Sequence, residues 1–295
     1  MAGGNELVGL SESLSTVVES AATFTVRVNG RGYYGSTGVA WSGGVIVTAD
    51  HTLERDDDIT VALPDGNAIL AMIAGRDPTS DLAILRAECD LPVAKRVREV
   101  RVGALALAIG RGTGTDASAS LGIISAVGRQ QRSRRGINLD GLIRPDVTMY
   151  PGFSGGPLVT AAGELIGVNT SRLGGGALTI PAEAVNRIVE QLLAHGRIKR
   201  GYLGLTSQPV RLAEGQAALA GQEMALVVIG VEPDSPAVAS GMMVGDMLIE
   251  LDGQPIRDTD DLRTVLSAGT AGQHVTLRVI RGTETREFSV TIGER

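Results

Sequence analysis

Between Thr23 and about residue 180 the chain is a series of short β-type runs parted by Gly, Pro and Asp turns, with no long helix among them. Val45–Thr48, Ile59–Leu63, Leu82–Leu85, Ala104–Ile109, Leu121–Val127, Pro157–Thr160 and Leu165–Thr170 carry the pattern. Thr23–Val28 alternates and runs into Asn29-Gly30, a hairpin signal. Many short strands with regular turns predict an all-β sandwich or a pair of barrels. The 40 glycines fit a fold with frequent turns and close backbone contacts.

Helical spacing is confined to the flanks. Leu7, Leu10, Leu14, Val17 and Val18 predict an amphipathic helix over residues 5–20, with Glu12 and Glu19 on its other side. A second helix is predicted over Pro181–Gly196, with proline in its first turn and Gly196 as its stop. Its apolar face is Val185, Ile188, Val189, Leu192 and Leu193. The short basic run Arg197–Arg200 marks a boundary, and a separate unit follows. Strands at Leu226–Val231, Met247–Leu251, Val275–Ile280 and Phe288–Ile292, with helical segments at Ser235–Ser240 and from Asp258 through Leu266, make it a small α+β module.

Composition narrows the functional classes. A hydrophobic content of 43% over 295 residues means a packed chain of one large or two medium domains rather than disorder. A net charge of −6 speaks against a general nucleic-acid binder. Cys89 is the single cysteine, so the fold is held by packing without an intrachain disulfide. Glu6, Glu12 and Glu19 interrupt the N-terminal apolar positions and the first basic residue is Arg27, the reverse of a secretory leader. No apolar run approaches the roughly 18 residues a membrane span requires. The expectation for the chain as given is a cytoplasmic location with no membrane span, a cell-envelope location following only if the N-terminus had been trimmed.

Chemistry concentrates in Tyr150-Pro-Gly-Phe-Ser-Gly-Gly-Pro-Leu158. A serine on such a turn exposes its Oγ, and the N–H groups of Gly152 and Ser154 can converge where an oxyanion forms during acyl transfer. In isolation this is equally a Gly-rich turn, so the assignment depends on a base and an orienting carboxylate. His195 falls in the last turn of the second helix, where terminal carbonyls suit it, and His274 sits at a turn without an evident partner. His51 instead follows the apolar run Val45–Ala49, and Asp81 opens the apolar run Leu82–Leu85. Asp77 beside it reads as a turn or cap residue, and Asp50 and Asp56–Asp58 as solvated loop charge. The chain order His51, Asp81, Ser154 is that of the chymotrypsin-type triad.

Taken together, Val47–His51, Asp77–Leu85, Leu107–Gly110, Gly122–Gly128, Pro151–Leu158 and Gly163–Thr170 resemble the HtrA/Deg serine proteases, and the resemblance covers nearly the whole chain. The spacings of 30 and 73 residues between the three triad positions suit that family. The resemblance implies a mainly β chain: two six-stranded antiparallel β-barrels of chymotrypsin type, followed by a small α+β PDZ domain. The implied divisions are 1–20 (N-terminal helix and oligomerisation), 21–198 (protease) and 199–295 (PDZ). It implies Ser154 as nucleophile, His51 as base and later acid, Asp81 as its orienter, and Gly152 and Ser154 as oxyanion donors, with no metal or organic cofactor. Met149, Arg172 and Leu178 would border the substrate pocket.

The same resemblance places a peptide-carboxylate loop at Arg200, Tyr202, Leu203, Gly204 and Leu205, at the edge of a sheet. It makes Arg129, Arg132, Arg134 and Arg135 a sensor loop, with arginines able to answer a carboxylate. Implied partners are unfolded protein substrates and peptide C-termini, in a homotrimer or a higher oligomer of trimers, with no nucleic acid. Phe153 and Tyr150 depart from the family, which carries polar residues there, and Arg172 stands where an apolar side chain is usual. The departures leave an alternative: a proteolytically silent scaffold or chaperone with a collapsed oxyanion loop.

Overall fold

The computed structural model describes residues 2–32, 34–112, 116–128, 141–173, 176–198, 201–266 and 270–294, with side chains from residue 5. These fall into two compact units, one running to Ile198 and the other beginning at Gly201. Arg129, Arg132, Arg134 and Arg135, expected to form a sensor loop, and Arg200, expected in a carboxylate-binding loop, lie outside the described residues.

The first unit opens with helix α1 (Ala2–Ala22). Only the C-terminal half of its apolar face is covered: Val17 is buried, while Leu7, Val8 and Leu10 are exposed. Six strands follow, β1 (Thr25–Asn29), β2 (Ser36–Ser42), β3 (Val45–Ala49), β4 (Ile59–Ala62), β5 (Ala68–Asp77) and β6 (Leu82–Ala87). They close into an antiparallel barrel of order β1-β2-β3-β6-β5-β4. Closure removes the unpaired edges that an open sheet would present. Val26, Val28, Ile46, Ile59, Val61 and Leu85 fill it, each full burial contributing about 1.5–3 kcal/mol.

The next six strands are β7 (Leu105–Gly110), β8 (Ser118–Val127), β9 (Ile143–Asp146), β10 (Pro157–Thr160), β11 (Leu165–Thr170) and β12 (Leu178–Pro181). They close in the order β7-β8-β9-β12-β11-β10, the first barrel's pattern repeated six strands later. Helix α2 (Ala182–His195) buries Val185, Val189 and Leu192 and touches strands of both barrels. Pro181, expected inside its first turn, ends β12 and stands at the N-cap, and Gly196 stops the helix at φ 71°.

In the second unit, β13 (Gly201–Tyr202), β14 (Leu205–Arg211), α3 (Glu214–Ala220), β15 (Met224–Val231), α4 (Pro236–Ala239) and β16 (Met247–Leu251) come first. Then come β17 (Gln254–Pro255), α5 (Thr259–Val265), β18 (His274–Arg281), β19 (Glu284–Thr291) and β20 (Gly293–Glu294). The main sheet runs β14-β15-β16-β18-β19, which leaves β14 at an edge. Leu226, Val228, Leu248, Leu251, Leu277 and Val279 form the core beneath it. The Asp258 carboxylate caps α5 by accepting from the N–H groups of Asp260 and Asp261.

Candidate active site

His51 is presented by a short 3-10 turn, Asp50–Thr52, that directly follows β3. Arg76 on β5 braces this turn. Its guanidinium donates to Asp50 Oδ1 at 2.6 Å, to Asp56 Oδ1 at 2.7 Å, and to the carbonyls of Asp50 and Leu53. Partial burial pulls the Arg76 pKa down, but the hydrogen bonds and charges of Asp50 and Asp56 outweigh it, so the net shift is upward.

Asp81 is fully buried at the start of β6 with φ 59°, in the left-handed region that a non-glycine residue enters at a cost. Its carboxylate accepts from the backbone N–H of His51 at 2.9 Å, from His51 Nδ1 at 2.8 Å and from Thr170 Oγ1 at 2.5 Å. The Asp81 carbonyl in turn accepts from the Asp50 N–H at 3.0 Å. A carboxylate at Nδ1 puts the imidazole proton there and leaves Nε2 as the basic nitrogen.

Ser154 sits on the connection into β10. Phe153 N–H donates to the Tyr150 carbonyl at 3.0 Å, closing a turn with Pro151 and Gly152 at its centre and Gly152 at φ 88°. Proline followed by a positive-φ glycine is the type II arrangement. The Pro151 carbonyl oxygen faces Gly112, lying 2.7 Å from where a Cβ on that residue would be. In a trans peptide the Gly152 N–H therefore points the opposite way. Among the described residues, neither the Gly152 N–H nor the Ser154 N–H donates to a protein group. Both amides remain available to an oxyanion.

The carbonyls of this segment are held from the first barrel. Thr37 on β2 donates its hydroxyl to the Gly152 carbonyl at 2.6 Å and its N–H to the Ser154 carbonyl at 3.2 Å. Gly155 follows at φ 84°, and a Cβ there would stand 2.1 Å from the Thr37 carbonyl oxygen. Only glycine fits a backbone pressed this closely against another strand.

His51, Ser154, Met149, Tyr150, Pro151, Gly152 and Ser171 line one cleft of about 380 Å³, together with Arg31 and Tyr34 from the β1–β2 loop. The Ser154 hydroxyl hydrogen-bonds not to His51 but to the Ser171 hydroxyl, at 3.0 Å, and accepts from the Ser171 N–H at 3.3 Å. Of the expected pocket residues Met149 borders the cleft, whereas Arg172 and Leu178 are not among its lining residues. Leu178 is buried on β12 and Arg172 is exposed, its N–H donating to Thr170 Oγ1. Ser171 opens the segment Ser171–Leu178 that the family resemblance sets along the pocket, whereas Arg31, Tyr34 and Thr37 were not singled out from the sequence. Their places depend on strand pairings that no local pattern announces.

The loop of the second unit expected to take a peptide carboxylate has a comparable feature. The carbonyls of Leu203 and Gly204 accept from Ala237 and Glu232. Among the described residues their own N–H groups donate to no protein group. Tyr202 donates its hydroxyl to Glu232 at 2.5 Å.

Two closed barrels, a cleft-lining histidine paired with a buried aspartate and a serine on a glycine turn define the class of the trypsin-like peptidases. The family model described as a trypsin-like peptidase domain matches residues 36–168, and one described as a PDZ domain matches residues 201–292. A probable periplasmic serine endoprotease DegP-like of Pseudomonas fluorescens is 34% identical over 268 residues, covering 88% of this chain and 56% of its own. The corresponding protein of Chlamydia trachomatis is 31% identical over 258 residues, with coverages of 84% and 52%. The HtrA-type protease AlgW, solved with a tripeptide, is 31% identical with a TM-score of 0.76, covering 96% of this chain and 97% of its own.

The chain belongs to the HtrA family of serine proteases. It spans just over half the length of the DegP-like relatives. Those relatives are named periplasmic, which points to the cell envelope and overturns the cytoplasmic expectation. A missing leader pattern in a chain that matches half of its relatives carries no information about compartment. Among the described residues no helix is long and apolar enough to cross a membrane.

Proposed function

We propose that the chain is a serine endopeptidase of the cell envelope that cleaves unfolded or damaged protein by acyl-enzyme chemistry, without ATP. The observation that carries this reading is that His51, its Nδ1 bonded to Asp81, lines one cleft with Ser154 and Gly152, whose two N–H groups donate to no protein group among the described residues. The Ser154 hydroxyl turns from Ser171 to His51 Nε2 and attacks the scissile carbonyl as Nε2 takes its proton. The Gly152 and Ser154 N–H groups receive the oxyanion, and His51 returns the proton to the leaving amine. Water then hydrolyses the acyl-enzyme with His51 again as base.

The Gly152 and Ser154 N–H groups, which donate to no protein group among the described residues, support this active reading over a collapsed oxyanion loop. Arg31 carries the one fixed charge among the lining residues, and no carboxylate pairs with it among the described residues. The reading therefore includes a preference for acidic over basic residues near the scissile bond. The Leu203 and Gly204 amides would take a peptide C-terminus, with the peptide adding to the β14 edge and tuning proteolysis. The exposed Leu7, Val8 and Leu10 of α1 would pack against other copies in a trimer.

Incubation of the protein with unfolded casein, beside a Ser154→Ala control, tests the reading. Cleavage is expected only in the unsubstituted protein. Equal cleavage by both would remove the assignment.

A further inference from the structure

Phe153 separates the two amides of the candidate oxyanion hole, and its side chain is only 2% exposed. It joins the core of the second barrel with Ala106, Ala108, Ile124, Leu158 and Ile166. Gly110, the last residue of β7, makes the seat. A Cβ there would lie 2.3 Å from Phe153 Cδ1 and 2.7 Å from Cε1, so any side chain would displace the ring. On the other side the Tyr150 ring meets Phe153 edge-on, with centroids 5.4 Å apart and planes at 71°. The two ends of the turn are thus joined twice, by the Phe153 N–H to Tyr150 carbonyl bond and by their rings.

A glycine-rich turn has little stiffness of its own, because glycine moves freely between φ regions. The direction of the Gly152 and Ser154 amides must be set by something attached to the turn. Thr37 holds the neighbouring carbonyls, but Phe153 is the one residue of Tyr150–Gly156 whose side chain enters the hydrophobic core. We propose that Phe153 is a positioning residue for acyl transfer: its ring, seated against Gly110, aims the Gly152 and Ser154 N–H groups at the oxyanion. The inference rests on the serine-peptidase reading. It also gives a physical role to a residue that first stood out as a departure from the family. Close-packed interiors do not deform continuously, so unseating the ring moves the turn as a unit.

Acyl transfer is sensitive to such a movement, since losing one oxyanion donor costs about 10²–10³ in kcat and a misplacement of about 1 Å costs about 10². The experiment measures kcat and KM on a fluorogenic peptide, and the rate of fluorophosphonate labelling, for the full chain and its variants. Phe153→Ala and Gly110→Ala are each expected to lower kcat and labelling at least about tenfold, with KM within about twofold. Adding Phe153→Leu to Gly110→Ala vacates the clashing ring positions and should recover part of the lost kcat, a coupling that independent sites do not show. Ile124→Ala hollows the same core from β8 and should lower Tm while leaving kcat within about twofold.

Folded Phe153→Ala or Gly110→Ala protein with unchanged kcat would overturn the inference. So would an equal loss of kcat in Ile124→Ala, which would mean that core stability alone matters. Should Gly110→Ala fail to fold, Phe153→Leu alone decides: unchanged kcat overturns the inference and a drop of about threefold or more supports it. Indistinguishable unsubstituted and Ser154→Ala proteins would instead defeat the peptidase reading, leaving the two failures separable.

Discussion

On the first barrel, His51 and Asp81 are tied down by polar contacts: Thr170, Arg76 and the backbone around Asp50 all bond to the pair or its turn. On the second barrel, the turn carrying Ser154 is placed mainly by fit, through glycines pressed against Thr37 and Gly112 and a phenylalanine sunk in the core. The difference follows from what each half must do. A base needs one tautomer and one orientation, which directed hydrogen bonds to a carboxylate supply. An oxyanion hole needs its N–H groups left unbonded, so its position must come from the other atoms of the turn.

The two designs should fail differently. Asp81→Asn removes the acceptor that fixes the His51 tautomer and is expected to lower kcat about 10⁴-fold while a folded barrel persists. Steady-state kinetics beside circular dichroism would check both halves of that statement, and unchanged kcat would break the comparison. Gly155→Ala should act in the opposite sense. Its φ of 84° and the 2.1 Å approach to the Thr37 carbonyl leave no room for a methyl group, so the loss is expected first in stability. A cost above about 4 kcal/mol in urea unfolding is expected, the range reserved for gross misfit.

Arg76→Gln sharpens the comparison further. It removes a charged brace from the turn bearing His51, and a hydrogen bond to a charged group contributes about 1.5–3 kcal/mol, less where water screens it. A stability loss of about 2 kcal/mol is expected, with kcat reduced and KM little changed. The smallest effect belongs to Arg31→Gln. An exposed ion pair contributes about 0.2–1 kcal/mol, so kcat/KM for peptides with Asp or Glu near the cut should fall up to about fivefold. Cleavage of neutral peptides should hold, which a paired peptide series would read.

The polar half of the site was the more legible in sequence. His51 and Asp81 each stand at the edge of an apolar run, where a rigid strand delivers a side chain to a cleft. Their partner Thr170 was visible only as part of a strand. In the packed half, Gly152 and Ser154 could be named because glycine spacing is local information, but Thr37 depends on pairing between barrels and left no mark. Phe153 was visible only as an oddity, since its meaning depends on the empty seat at Gly110, 43 residues earlier in the chain. Among the strands, β9 was obscured by Pro145 and β2 by its glycine and serines, whereas closed-barrel pairing overrides such local preferences. The α1 spacing read correctly as a helix, yet its exposed N-terminal half shows that periodicity does not say what covers an apolar face.

The central claim is that Ser154 is made nucleophilic by the His51–Asp81 pair beside a hole formed by its own turn. Treatment of the full chain with a fluorophosphonate, followed by peptide mass mapping, tests it most directly. The account predicts stoichiometric modification confined to Ser154 and lost in His51→Ala. An unmodified Ser154, or labelling that persists without His51, would contradict it.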